Sequence, residues 1–123
     1  MADNNQRRAG ICYIKVDGEI YDAKGNFTYN LGKPKRDAIV GADAVHGFKE
    51  VPQIAFIEGE ITDRGAMSLE SVLAVEDATI TLELANGKVI SLRNAWFAGE
   101  GTGNTEEGNI GVRWEGISAE EIR

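Results

Sequence analysis

Apolar and polar side chains alternate with a period of two over much of this chain, which is the pattern of half-buried β-strands. The chain is organised around residues 51–63, Val-Pro-Gln-Ile-Ala-Phe-Ile-Glu-Gly-Glu-Ile-Thr-Asp. Pro52 punctuates the start, and Asp63-Arg64-Gly65 reads as the turn that ends it. One face carries Ala55, Ile57, Gly59 and Ile61 and is apolar throughout, which places it on the protein's own core. The other face begins with Ile54 and Phe56 and changes to Glu58 and Glu60. A face that is greasy at one end and acidic at the other fits a sheet wall within a larger assembly. An ordinary central strand running out into solvent has the same pattern.

The same reading extends along the chain. Residues 11–16 alternate with Cys12, Ile14 and Val16 inward, and Asp17-Gly18 makes a tight turn. Residues 19–23 and 26–31 continue a meander around Lys24-Gly25, with Phe27, Tyr29 and Leu31 on one face. Within 65–74, Ser68 is a candidate N-cap and Leu69, Val72 and Leu73 fall at helical spacing, which predicts a helix of about two turns. Residues 78–84 form the strongest strand signal, with Ile80, Leu82 and Leu84 opposite Thr79, Thr81 and Glu83. Asn86-Gly87 predicts a two-residue type I′ hairpin returning along 88–92, which sets Leu84 against Val89, Glu83 against Ile90 and Thr81 against Leu92 unless a bulge intervenes.

Residues 94–98 add Trp96 and Phe97, residues 99–109 read as a flexible polar loop, and Ile110, Val112 and Trp114 mark a last strand. Residues 118–121 suit a short helical turn, while residues 1–9 are polar, without periodicity, and expected to be loose. The expected fold is mainly β: a single-domain antiparallel barrel or sandwich with one short α-helix and one long loop.

That long loop is residues 32–51. It opens with Lys33, Pro34, Lys35 and Arg36, a basic start on an acidic chain. It then places Ile39, Val40, Val45 and Phe48 among glycines and small residues. Connections of this length are uncommon in compact domains and are usually functional or disordered. These residues are too apolar to stay in water, so the expectation is an arm that orders by packing on another subunit. The alternative is a local β-hairpin folded back on its own domain.

Composition narrows the function. At 123 residues, with 15 Gly against 2 Pro, the chain suits a turn-rich β protein with one modest core. Its formal charge of -7 makes it a poor grip for nucleic acid, although a surface that DNA must slide past would also be acidic. The lone Cys12 allows no internal disulfide, no stretch approaches the roughly 18 apolar residues of a membrane span, and no signal peptide precedes the first strand. His46 is the only histidine and no orienting third group marks a Cys12–His46 pair; Gly99 to Gly103 lacks the lysine and helix of a phosphate loop. Asn104, Glu106 and Glu107 lack calcium-loop spacing. Glu58 and Glu60 lie about 7 Å apart by strand rise, a glycosidase-like separation without the aromatic cleft it needs. The expectation is no enzyme, no metal and no cofactor.

Three stretches carry a resemblance: Gln-Arg-Arg-Ala-Gly before the first strand, the block at 51–63, and above all 78–98, Ala-Thr-Ile-Thr-Leu-Glu-Leu-Ala-Asn-Gly-Lys-Val-Ile-Ser-Leu-Arg-Asn-Ala-Trp-Phe-Ala. In order and length the chain resembles the tail tube proteins of Mu-like contractile-tailed bacteriophages. The resemblance implies hexameric rings stacked into a tube inside a contractile sheath, conducting double-stranded DNA without specific binding. It implies sheath, baseplate, tail terminator and tape-measure proteins as partners, assembly in the host cytoplasm and residence in the virion tail. Type VI secretion and bacteriocin tubes are similar, and a stand-alone small ligand-binding β-barrel is the reading from another class. On the tube reading Glu58, Glu60, Thr81 and Glu83 are the candidate channel wall, whose carboxylates repel phosphates. Lys33, Pro34, Lys35, Arg36, Ile39, Val40, Val45 and Phe48 are the candidate inter-subunit arm.

Overall fold

A strand with one apolar face must bury that face, and every strand here is held by antiparallel pairing. The computed structural model describes residues 12–63 and 68–122. Its elements are β1 (Tyr13–Val16), β2 (Glu19–Tyr21), β3 (Ala23–Asn30), β4 (Lys35–Val40), β5 (Val45–Val51), β6 (Ala55–Thr62), α1 (Leu69–Leu73), β7 (Ala78–Glu83), β8 (Val89–Phe97), β9 (Gly103–Asn104), β10 (Asn109–Gly116) and β11 (Ser118–Ile122). Nine strands form one sheet in the order β2-β1-β7-β8-β10-β6-β3, with β9 on β10 and β11 on β8, so that β1, β6, β7, β8 and β10 each have more than one neighbour. The sheet curls into a half-barrel with one short helix, and β4 and β5 make a separate two-stranded sheet.

The core is the inner face of that curl. Ile14, Ile57, Ile61, Ile80, Leu82, Ile90, Leu92 and Trp114 are all 0% exposed, and Val72 of α1 closes over them. Each such side chain contributes about 1.5–3 kcal/mol relative to exposure, so the inward halves of β1, β6, β7, β8 and β10 dominate stability. The expected inward set of 51–63 is found as read: Ala55, Ile57 and Ile61 are buried, while Glu58 and Glu60 are exposed. Cys12, Ile14 and Val16 also face the core. Asp17 (φ 51°) and Gly18 (φ 85°) make the predicted tight turn, tied to β7 because Asp17 N–H donates to the Thr79 carbonyl (2.9 Å) and Thr79 N–H donates to Asp17 Oδ1 (2.9 Å). Ser68 caps α1, its Oγ accepting from Ser71 N–H at 3.3 Å, but the helix is five residues long and shorter than expected.

Four local expectations are corrected. The β7–β8 hairpin does not close on a two-residue turn. Leu84 N–H donates to the Lys88 carbonyl (2.8 Å), Gly87 N–H to the Leu84 carbonyl (3.1 Å), and Gly87 takes φ 93°, which is a three-residue loop. The register becomes Glu83↔Val89, Leu82↔Ile90, Thr81↔Ser91 and Ile80↔Leu92. A one-residue slip exchanges the two faces of a strand, and the observed register matches buried residue to buried residue.

Lys24-Gly25 is no turn: both lie within β3, whose pairing to β6 shifts register between Lys24 and Thr28. The irregularity lays Phe27 over Gly59, where any Cβ would stand 2.6 Å from its ring. Residues 118–121 are strand β11, because its pairing from Ser118↔Arg93 to Ile122↔Val89 fills the open edge of β8 and outweighs local helical preference. The polar loop at 99–109 holds β9 and folds back as a hairpin, with Asn104 Oδ1 accepting from Glu106 N–H (2.9 Å) and Glu107 N–H (3.1 Å). The expectation for residues 1–9 lies outside the described residues.

Candidate assembly arm and outer sheet face

Residues 32–51 leave the half-barrel at Gly32. That residue takes φ 79°, and a Cβ there would sit 2.8 Å from the Ala55 methyl, so the departure point requires glycine. Gln53 Nε2 donates to the Lys33 carbonyl (2.9 Å) and ties the two ends of the arm together. Beyond them β4 and β5 pair from Lys35↔Val51 to Val40↔Val45, and neither joins the nine-stranded sheet. The arm is thus a hairpin, as the local alternative had it, but a hairpin that stands apart from its own sheet. Ile39 is 45% exposed, Val40 69%, Val45 66% and Phe48 56%. The Arg36 guanidinium lies 5.2 Å from the Phe48 ring centre, and Lys35 meets Asp37 at 3.5 Å. Lys33, Pro34 and Arg36 line a shallow depression at the base with Glu50. At the tip, Gly41 N–H donates to the Ala44 carbonyl (2.8 Å), and His46 lies over Gly41 with Nε2 2.9 Å from Asp43 Oδ1. His46 therefore pairs with Asp43 rather than with Cys12, whose thiol is pushed up in pKa by burial beside β1.

The four candidate wall residues lie on the outer, solvent-facing side of the curl in two groups. Glu58 and Glu60 are on β6; Thr81 and Glu83 are on β7, with β8 and β10 between the two strands. Around β6 the register sets Arg113 opposite Glu58 and Gly111 opposite Glu60, with Thr28 and Lys24 on the other side. Arg113 Nε donates to Glu115 at 2.9 Å, its Nη1 reaches Glu58 at 3.4 Å, and its guanidinium stands 4.2 Å from the Phe56 ring centre. Partial burial alone would lower the Arg113 pKa; the hydrogen bonds and charges of Glu115 and Glu58 outweigh it and push it up. Glu60 accepts a hydrogen bond from Asn109 Nδ2. An open groove of about 430 Å³ runs here past Asn26, Glu58, Glu60, Glu100, Thr102 and Arg113. On β7, Glu83 holds Lys15 of β1 at 2.8 Å, and Thr81 lies between Lys15 and Ser91 in the register.

The sequence reading missed the cations of this face. Lys15 and Arg113 each sit at an outward position of an alternating strand, so their signal was present, whereas Lys24 falls in an expected turn. Lys15 and Lys24 find their carboxylates on another strand and in a turn, and Arg113 finds Glu58 on β6 besides Glu115 on its own strand. No His, Cys, Asp and Glu group suited to a metal ion occurs among the described residues, and no described helix is long and apolar enough to cross a membrane.

Comparison with known proteins fits this geometry to one family. The family model described as "Phage tail tube protein" matches residues 5–121. The tail tube protein of Escherichia phage Mu is 28% identical over 100 residues, covering 81% of this chain and 82% of that protein. Among solved structures, the sheath/tube terminator of an extracellular contractile injection system matches with a TM-score of 0.65 at 12% identity, over 99% of this chain and 100% of the other. The sheath–tube complex of an extracellular contractile injection system matches at 0.62 and 13% identity, over 95% and 93%. The tube terminating cap of the anti-feeding prophage matches at 0.61 and 10% identity, over 95% and 92%. At these identities the structures speak for the fold, and the family match speaks for kind: the chain belongs to the phage tail tube protein family and is a viral tail component.

Proposed function

We propose that this chain is the repeating subunit of the tube, assembling as hexameric rings that stack inside a contractile sheath and bound the channel through which double-stranded DNA leaves. The observation that carries this reading is the arm. A two-stranded hairpin that stands off its own sheet leaves Ile39, Val40, Val45 and Phe48 largely uncovered by the described residues. Exposed apolar surface of this kind marks an interface. Lys33, Lys35 and Arg36 at the base give the arm a basic side on a chain of charge -7, which favours docking on an acidic neighbour of the same kind. The outer sheet face, with Glu58, Glu60, Thr81 and Glu83, is the proposed channel wall. Tape-measure protein would occupy the lumen during assembly in the host cytoplasm, and terminator and baseplate would close the two ends.

The test is microscopy of concentrated purified protein by negative stain, beside a variant lacking residues 34–49. Rings or tubes from the parent, and a folded monomer from the deletion, are expected. A parent that stays a single compact particle at every concentration, or long tubes from the deletion, would refute the reading.

A further inference from the structure

The outer face of the sheet is close to balanced in charge. Its outward positions carry the carboxylates Glu58, Glu60, Glu83, Glu115 and Glu120 against the cations Lys15, Lys24, Arg93 and Arg113. Every one of those cations is held. Lys15 meets Glu83 at 2.8 Å, Lys24 meets Glu107 at 3.4 Å, Arg93 meets Glu120 at 2.5 Å, and Arg113 sits between Glu115 at 2.9 Å and Glu58 at 3.4 Å. The arm differs. Lys33, Arg36 and Lys49 have no carboxylate within ion-pair distance among the described residues, and only Lys35 meets one. Pairing therefore follows location: complete on the sheet, sparse on the hairpin.

This distribution bears on how a polyanion meets the face. Net charge pushes at long range, but salt screens it beyond about 8 Å under physiological conditions. At contact, adhesion depends on uncovered Lys and Arg, each of which releases counterions when it meets a phosphate. A guanidinium flanked by two carboxylates is neutralised where it stands, and both carboxylates repel a phosphate that approaches its remaining N–H groups. We propose that Glu83, Glu58, Glu115 and Glu107 act as covers for Lys15, Arg113 and Lys24, so that DNA passing over this face finds no free cation. On this view two carboxylates equally near the DNA differ in effect, according to whether a cation lies beneath them. The inference rests on the proposed channel wall for its setting, but the covering itself is a property of each copy.

The full-length chain is tested in solution with a short fluorescent DNA duplex, reading binding by anisotropy from about 50 to 300 mM salt. Glu83→Gln uncovers Lys15; Glu60→Gln removes the same charge from a carboxylate that holds Asn109 instead of a cation. The second comparison pairs Glu58→Gln/Glu115→Gln, which uncovers Arg113, with Glu60→Gln/Glu100→Gln, two carboxylates of the same groove. Uncovered variants are expected to bind about tenfold more tightly at low salt, with a log–log salt slope steeper by about 0.9 per freed cation. Their charge-matched partners are expected to follow the parent. Equal behaviour within both matched pairs overturns the proposal. Tighter binding by the uncovered variants, with genome release from phage carrying them as fast as the parent's, supports the covering and refutes the wall assignment.

Discussion

Replacing Val40, Val45 and Phe48 together by Thr separates what the arm does for its own chain from what it does for others. Threonine keeps the β-branching of the two valines and has strand preference of its own at all three positions, so the β4–β5 hairpin itself is retained. The three side chains are 69%, 66% and 56% exposed, and the arm joins no strand of the main sheet, so the folded monomer loses little. The Arg36–Phe48 stacking is the main loss, at about 0.5–1 kcal/mol for an exposed site. Assembly is a different matter. Full burial of such side chains is worth about 1.5–3 kcal/mol each. With more than half of each still open, docking has about 1 kcal/mol or more per residue to gain. Buried area converts incompletely into affinity because ordering costs oppose it, which leaves about 2–3 kcal/mol for the triple change. That raises the concentration threshold for tubes about 30- to 150-fold. Urea unfolding measures the first quantity and pelleting against protein concentration the second. A lowered urea midpoint with an unchanged threshold would refute the reasoning, because it would mean that the arm packs on its own body.

Gly59→Val drives a side chain into the Phe27 ring, 2.6 Å from where Cβ must stand, and is expected to cost about 1–3 kcal/mol by urea unfolding. Adding Phe27→Ala should return part of that loss; two independent, additive losses would mean that the ring does not rest on Gly59. Burial raises the Cys12 pKa, so its alkylation by iodoacetamide should rise with pH at a midpoint above that of a free thiol. The same sign makes stability fall as pH climbs through the pKa of the unfolded thiol toward the folded value. A midpoint equal to that of a small thiol would contradict it.

Much of the half-barrel was legible because period-two alternation depends only on which face is buried. Ala55, Ile57 and Ile61, then Ile80 and Leu82, then Ile110, Val112 and Trp114 declared their inward faces directly. The errors lie where non-local pairing decides. Asn86-Gly87 favours a two-residue turn locally, but the match of Leu82 with Ile90 and Ile80 with Leu92 selects the three-residue loop. Residues 118–121 show helical preference until the open edge of β8 offers a ladder. The Lys24-Gly25 irregularity is set by Phe27 finding Gly59, a residue more than thirty positions away. On the outer face the carboxylates were visible as exposed Glu at alternate positions. Their cations were not assigned, since Lys15–Glu83 and Lys24–Glu107 join strands and turns far apart in sequence.

The sheet and the arm obey one rule with opposite results. A strand inside a sheet gives each outward side chain neighbours on both flanks, so charges of opposite sign can be matched in place. Arg113 has Glu58 across from it on β6 and Glu115 two residues along its own strand. A strand in a lone hairpin has one flank only, and half of its pairing capacity faces outward. In β4 and β5 that capacity holds Arg36, Lys49, Val40, Val45 and Phe48 with no second flank to receive them. The net charge of the chain does not describe either surface, because much of the acid sits in turns and loops such as Asp17, Asp22, Glu76, Asp77, Glu100 and Glu106. The charge pattern of the sheet is therefore set by register, and the uncovered surface of the arm by the absence of a third strand.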